Sequence, residues 1–151
     1  MLENIGIGID IVEINRFQEK PFEKNQRFYQ KIFSESEIKH CLQRGNPSQI
    51  FASKFAVKEA VIKSINKQID FLNILIDYSN SKPFVMLQND NSYTFHVSIS
   101  HEKSHAIATV ISKKRTSYNF LLILSKNKKS PSENIKNFYK NQLNENLSSF
   151  S

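Results

Sequence analysis

The chain has 151 residues, 39% of them hydrophobic, with 21 Lys and Arg against 14 Asp and Glu and a formal charge of +7. That length suits one domain with a single hydrophobic core and an appendage, and the composition excludes a disordered chain. A membrane helix needs about 18–20 apolar residues, and the longest apolar run, Phe120-Leu121-Leu122-Ile123-Leu124, falls far short of it. The start, MLENIGIGIDI, has no basic stretch before its apolar residues and carries Asp10, so it does not read as a secretion signal. One cysteine, Cys41, rules out an intramolecular disulfide framework and any CxxC metal site, and a cytoplasmic protein is expected.

The charge is unevenly placed. Residues 1–112 hold 13 Lys and Arg and 12 Asp and Glu; residues 113–151 hold 8 and 2. The sequence therefore divides into a nearly neutral domain, 1–112, and a basic, Lys/Asn/Ser-rich C-terminal extension, 113–151. In the extension Ile135, Phe138, Tyr139, Leu143 and Leu147 are spaced to form one stripe of an amphipathic helix over residues 132–147. Such a tail reads as a solvated appendage or as a contact for nucleic acid or membrane.

Residues 4–13 alternate with period two. Ile5, Ile7, Ile9 and Ile11 fall on one face and Gly6, Gly8, Asp10 and Val12 on the other, which predicts a strand whose glycine face admits a close neighbour. Residues 14–33 read as helical with a break near Pro21. Ser34-Glu35-Ser36-Glu37 is a capping box opening a helix that ends near Gly45. Asn46 caps a longer helix with Pro47 at its first position, running to about Lys67. Strands are predicted at 71–78, 83–88, 93–100 and 105–111. The order is a strand, helices, then a meander of strands: an α+β fold with an antiparallel sheet packed against a long helix.

Asp10 stands in an otherwise apolar or glycine strand. It suits either a solvent-facing position on a half-covered sheet or a hard oxygen ligand for a metal. Lys54, Lys58, Glu59 and Lys63 lie on the long helix, Lys54 with Lys58 and Glu59 with Lys63 one turn apart. Taken alone, these are surface ion pairs worth about 0.3–0.5 kcal/mol. With a second carboxylate near Asp10 they become a site for Mg²⁺ and phosphate. His96 and His101 bracket HVSISH, and their spacing is poor for zinc. His101, just after a strand, suits acid–base work or a phosphate contact. A P-loop, a dinucleotide-binding glycine motif and a nucleophile elbow are all missing from the sequence.

Three blocks in order, GIGIDIVEINRF, FASKFAVKEAVIKS and HVSISHEKSHAIATVI, resemble the signature blocks of holo-acyl-carrier-protein synthase, the small bacterial class of phosphopantetheinyl transferase. The resemblance covers about residues 3–112 and implies the fold of that family. It also implies transfer of 4′-phosphopantetheine from coenzyme A, the co-substrate, to a serine of apo-acyl carrier protein, for fatty acid synthesis. By the same resemblance, Asp10 and Glu59 are ligands of Mg²⁺, and Glu59, Lys63 and His101 are the catalytic group. Lys54, Lys58, Lys63 and His101 are implied as contacts for coenzyme A, with Lys54 at its 3′-phosphate. The proton of the attacking serine goes to a nearby carboxylate or to a water held by the metal. The carrier is acidic, and the stretch after the first strand is implied to dock it: Arg16 foremost, with Lys20, Lys24 and Arg27. A homotrimer with sites between subunits is implied as well. Two departures remove glycines that relatives carry: the chain reads Ser64-Ile65-Asn66-Lys67-Gln68-Ile69 after the long helix, and Asn80-Ser81-Lys82-Pro83 replaces N-G-K-P. The other class of function open to the chain is a basic protein that binds nucleic acid through residues 113–151.

Overall fold

A computed structural model describes residues 4–80 and 82–115. The apolar run at 120–124 and the amphipathic stripe at 132–147 lie outside the described residues. Strand β1 (Ile5–Glu13) is followed by two short helices, α1 (Asn15–Gln18) and α2 (Gln26–Gln30), with a 3-10 turn at Phe22–Lys24 between them. Then come α3 (Glu35–Leu42), α4 (Pro47–Ile65), a 3-10 turn at Phe71–Asn73, and strands β2 (Ile74–Ser79), β3 (Lys82–Leu87), β4 (Tyr93–His101) and β5 (His105–Lys114). The strands form an antiparallel three-stranded sheet in the order β1-β5-β4 and a β2-β3 hairpin. The fold is α+β, and β5 runs on through Lys113 and Lys114, past the boundary expected at 112.

The two sides of β1 have different fates. Gly8, Asp10 and Val12 face helix α4 together with Ala106, Ala108 and Val110 of β5, while the isoleucines face away from it. On the helix, Ala52, Ala56 and Ala60 are fully buried, so small residues meet small residues. The approach is close enough to require glycine. A Cβ on Gly8 would lie 1.9 Å from the Ala60 carbonyl oxygen, and one on Gly6 would lie 1.7 Å from that of Ser64. The helix is thereby set against the strand backbone itself. On the other side, Ile7 is 70% exposed, Ile9 and Ile11 are each 60% exposed, and Ile111 lies directly opposite Ile7 on β5.

Aromatic packing holds residues 14–33 against α4. The Phe17 ring stacks on Phe51 at 6.3 Å between centroids, and Tyr29 packs on Phe51 at 4.5 Å. The buried Tyr29 hydroxyl donates to the Lys20 carbonyl at 2.6 Å. These anchors explain why the segment is two short helices and a turn: the rings must reach one cluster, and Pro21 interrupts the backbone ladder. Residues 71–73, expected to begin a strand, form a 3-10 turn because Asp70 accepts the Leu72 N–H at 3.0 Å. In the stretch after α4 where relatives carry glycines, Asn66 ends the helix in the left-handed conformation at φ 49°, and Asn80, the residue before the lost hairpin glycine, has the same conformation at φ 49°.

Gly8→Ala is expected to force α4 away from β1 and to destabilise the fold by about 1–3 kcal/mol or more, read as a lower urea midpoint at unchanged slope.

Candidate active site

Asp10 of β1 and Glu59 of α4 come together across the glycine-mediated contact. Glu59 follows Lys58 and precedes Ala60, whose carbonyl lies over Gly8; Asp10 is the next residue on the same strand face. Glu59 is held above the ordinary carboxyl range, chiefly by burial and then by the charge of Asp10, with Lys63 and Arg16 opposing. The two carboxylates therefore repel each other. Lys63, one turn along α4, answers part of that charge: its Nζ donates to Asp10 Oδ1 at 2.7 Å and to the Ile9 carbonyl at 3.2 Å. That lysine is half exposed, so the pair contributes little to stability. Arg16, expected as a docking residue, stands near the same carboxylates, with its guanidinium 5.5 Å from the centre of the Phe55 ring.

The donor set fits a hard divalent cation. Two carboxylates in mutual repulsion, one bonded to a displaceable ammonium, form a partial oxygen shell of the type Mg²⁺ completes with water and phosphate. Among the described residues there is no cluster of three or more acidic, His or Cys side chains.

Lys54 and Lys58 depart from expectation. Neither forms a surface ion pair or faces a phosphate site: Lys58 is fully buried and Lys54 is 1% exposed. The Lys58 ammonium uses all three of its protons, donating to Glu37 Oε2 at 2.9 Å, the Phe71 carbonyl at 2.8 Å and the Ile74 carbonyl at 2.7 Å. Lys54 donates to the Ile76 carbonyl at 3.2 Å and lies 5.1 Å from the centre of the Tyr78 ring. Burial lowers the pKa of both lysines, with Glu37 opposing. The reason is geometric: α4 is covered on this side by the β2-β3 hairpin, whose carbonyls capture both side chains. Glu37, read from the sequence only as a capping residue, is the group that was missed. It also accepts the Ile76 N–H at 3.2 Å and so ties α3, α4 and β2 together.

His101 is not brought to the carboxylates within one chain. Its ring meets Gln49 in the first turn of α4, and ten residues of helix separate Gln49 from Glu59, about 15 Å at 1.5 Å per residue. Lys20, Lys24 and Arg27 are exposed and make no ion pair among the described residues; Lys20 lies 5.4 Å from the centre of the Phe28 ring. With Arg16 they are exposed on a segment anchored by its aromatic residues, interleaved with the exposed Glu19 and Glu23.

Residues 6–110 match the model of the 4′-phosphopantetheinyl transferase superfamily. The chain belongs to that superfamily. This transferase is similar to the holo-[acyl-carrier-protein] synthase of Thermodesulfovibrio yellowstonii, 41% identical over 110 residues that cover 70% of this chain and 96% of the relative. Among solved structures it resembles the Helicobacter pylori holo-[acyl-carrier-protein] synthase in complex with coenzyme A, with a TM-score of 0.63 and 33% identity over 71% of this chain and 99% of that one. The Bacillus anthracis holo-(acyl-carrier-protein) synthase gives a TM-score of 0.63 and 29% identity over 73% and 96%. The transferase match spans Asp10, Glu59, Lys63 and His101 and stops before the basic extension. No helix among the described residues is long and apolar enough to cross a membrane.

The raised Glu59 carboxyl has a consequence for stability. A group whose folded pKa is raised holds its proton more tightly when folded, so stability falls as pH rises from the ordinary value of 4.5 through the folded value. Glu59→Gln is therefore expected to raise the melting temperature of the metal-free transferase near neutral pH, by a few degrees in differential scanning fluorimetry. The gain should vanish below the ordinary carboxyl range, where both forms are neutral.

Proposed function

We infer that this chain transfers 4′-phosphopantetheine from coenzyme A to a serine hydroxyl of apo-acyl carrier protein and releases adenosine 3′,5′-bisphosphate, activating the carrier for fatty acid synthesis. The observation that carries this reading is the superfamily match over residues 6–110, together with 41% identity to a holo-[acyl-carrier-protein] synthase over almost all of that relative. The Asp10–Glu59 pair supports it chemically.

Asp10 and Glu59 would hold Mg²⁺, which when bound supplies Lewis acidity to the pyrophosphate of coenzyme A. In the reaction the serine oxygen forms a bond to the phosphorus bearing the pantetheine arm. The phosphoanhydride bond to the adenosine bisphosphate breaks, releasing it, and the serine proton passes to a nearby carboxylate or to water. Lys63, half exposed, would leave Asp10 to meet phosphate oxygen. Lys54 and Lys58, saturated or buried, serve by fixing α4 rather than by touching substrate. Arg16, Lys20, Lys24 and Arg27 would receive the acidic carrier, with Arg16 nearest the carboxylates, so that docking places the serine over the reacting phosphate.

The exposed isoleucine face of β1 supports self-association into the trimer that the family resemblance implies: four isoleucines in a row, flanked by Ile111, are an apolar patch that another copy can cover. Such an assembly would bring His101 of one subunit to the carboxylates of another. Ile9→Lys is expected to shift the protein from trimer to monomer in sedimentation velocity and to abolish transfer. A cytoplasmic site of action follows from the two co-substrates. The nucleic-acid alternative has no support, since the charge that suggested it lies beyond the matched residues.

The decisive test is incubation with apo-acyl carrier protein, coenzyme A and Mg²⁺, expected to add about 340 Da to the carrier, the mass of the group transferred by metal-assisted phosphoryl chemistry. Asp10→Ala, Glu59→Ala or omission of Mg²⁺ should abolish the shift in mass spectra. An unmodified carrier with the wild-type protein under all conditions would reject the reading.

A further inference from the structure

We propose that Gln49 is a positioning residue that fixes the tautomer of His101, so that His101 presents an Nε2–H donor to an anionic oxygen of coenzyme A. This rests on the transferase reading and refines it, because it makes His101 a donor to substrate and excludes it as the resting general base.

The chain of polarity starts at the helix end. The first N–H groups of α4 have no partners within the helix, and Asn46 Oδ1 accepts the one from Gln49 at 3.3 Å. That use of Oδ1 settles which end of the Asn46 amide is which, and its Nδ2 donates to Gln49 Oε1 at 3.1 Å. The Gln49 amide is oriented in turn: Oε1 is an acceptor toward Asn46, so the group facing His101 is the donor Nε2. A donor pointed at Nδ1 needs a lone pair there, and the neutral ring then carries its proton on Nε2. The polarity thus runs outward from the helix backbone through two side-chain amides to the imidazole.

The position of the ring suits the role. His101 is the last residue of β4 and is exposed, and its Nε2 has no protein partner among the described residues. The N–H left over points to whatever binds beside the start of α4, and an N–H donor selects an oxygen anion. The arrangement resembles a capping box, in which the third helical residue reaches back to the cap. Here that residue has a second contact, at His101, and the Asn46-x-x-Gln49 spacing is its signature in the sequence.

The tautomer can be read directly from two-bond ¹H–¹⁵N correlation spectra of the labelled full-length protein at about pH 8.5, well above the ordinary imidazole pKa, with His101 assigned by its loss in His101→Phe. The wild type is expected to show the Nε2–H pattern. Gln49→Glu keeps a good capping residue but offers only acceptors, so the proton should move to Nδ1, and the KM for coenzyme A should rise about tenfold, the scale of a lost hydrogen bond to a charged group, with kcat little changed. Ser48→Glu puts the same charge on the same turn away from the ring and should leave both tautomer and KM as in the wild type. An Nδ1–H pattern in the wild type, an unaltered tautomer in Gln49→Glu, a tautomer switch with unchanged KM, or an equal KM rise in Ser48→Glu would each overturn the proposal. Absence of transfer by the wild type would instead count against the transferase reading, since the tautomer is observed without turnover.

Discussion

The close contact between β1 and α4 is the constraint on which the remainder of the molecule rests. Two glycines on the strand meet the carbonyls of Ala60 and Ser64 at distances no side chain permits, and the helix presents alanines in return. Small residues on both sides bury little apolar surface each, so stability must come from elsewhere, chiefly the aromatic cluster around Phe17, Tyr29 and Phe51. What the contact achieves is placement. It sets a carboxylate on a strand beside a carboxylate on a helix, both on rigid elements, within range to repel each other.

A second device keeps α4 from shifting along the strand. The buried Lys58–Glu37 pair joins α3, α4 and β2 through five hydrogen bonds. Desolvating two charges costs as much as their attraction returns, so the pair adds little net stability, but losing either partner would strand a buried charge at a cost of about 3–5 kcal/mol. The network acts as a registration device: few other positions of the helix satisfy every proton of that ammonium. Glu59, the next residue along, inherits the precision.

Much of this was legible in the sequence, and the limits have physical causes. The alternation in residues 4–13 gave the strand, and the bare glycine face gave the close approach. The same pattern cannot say that the isoleucine face is left exposed, because alternation reports an apolar face and not which body covers it. The capping box at Ser34 was readable from local spacing, whereas the bond from Glu37 to Lys58 joins residues far apart in the chain. Lysines one turn apart on a helix look like surface charges until the hairpin that covers them is in place. Local signals also misplaced the start of β2, where one capping contact from Asp70 outweighs strand propensity. After α4, in the stretch where relatives carry glycines, asparagine tolerates the left-handed backbone at residue 66.

The ion pair between Lys63 and Asp10 has a thermodynamic implication. As long as the ammonium sits on the carboxylate, a cation entering alone must compete with it, and an anion entering alone must draw the lysine away from its partner. On the proposed reading, in which Asp10 would hold a cation and Lys63 would meet phosphate, the arrival of both would let the lysine turn to the anion and leave the oxygen to the cation, so each ligand would remove the obstacle to the other. By linkage the coupling is reciprocal. A resident counter-ion would thus make the proposed site a poor trap for stray metal or stray phosphate and a good one for the two together.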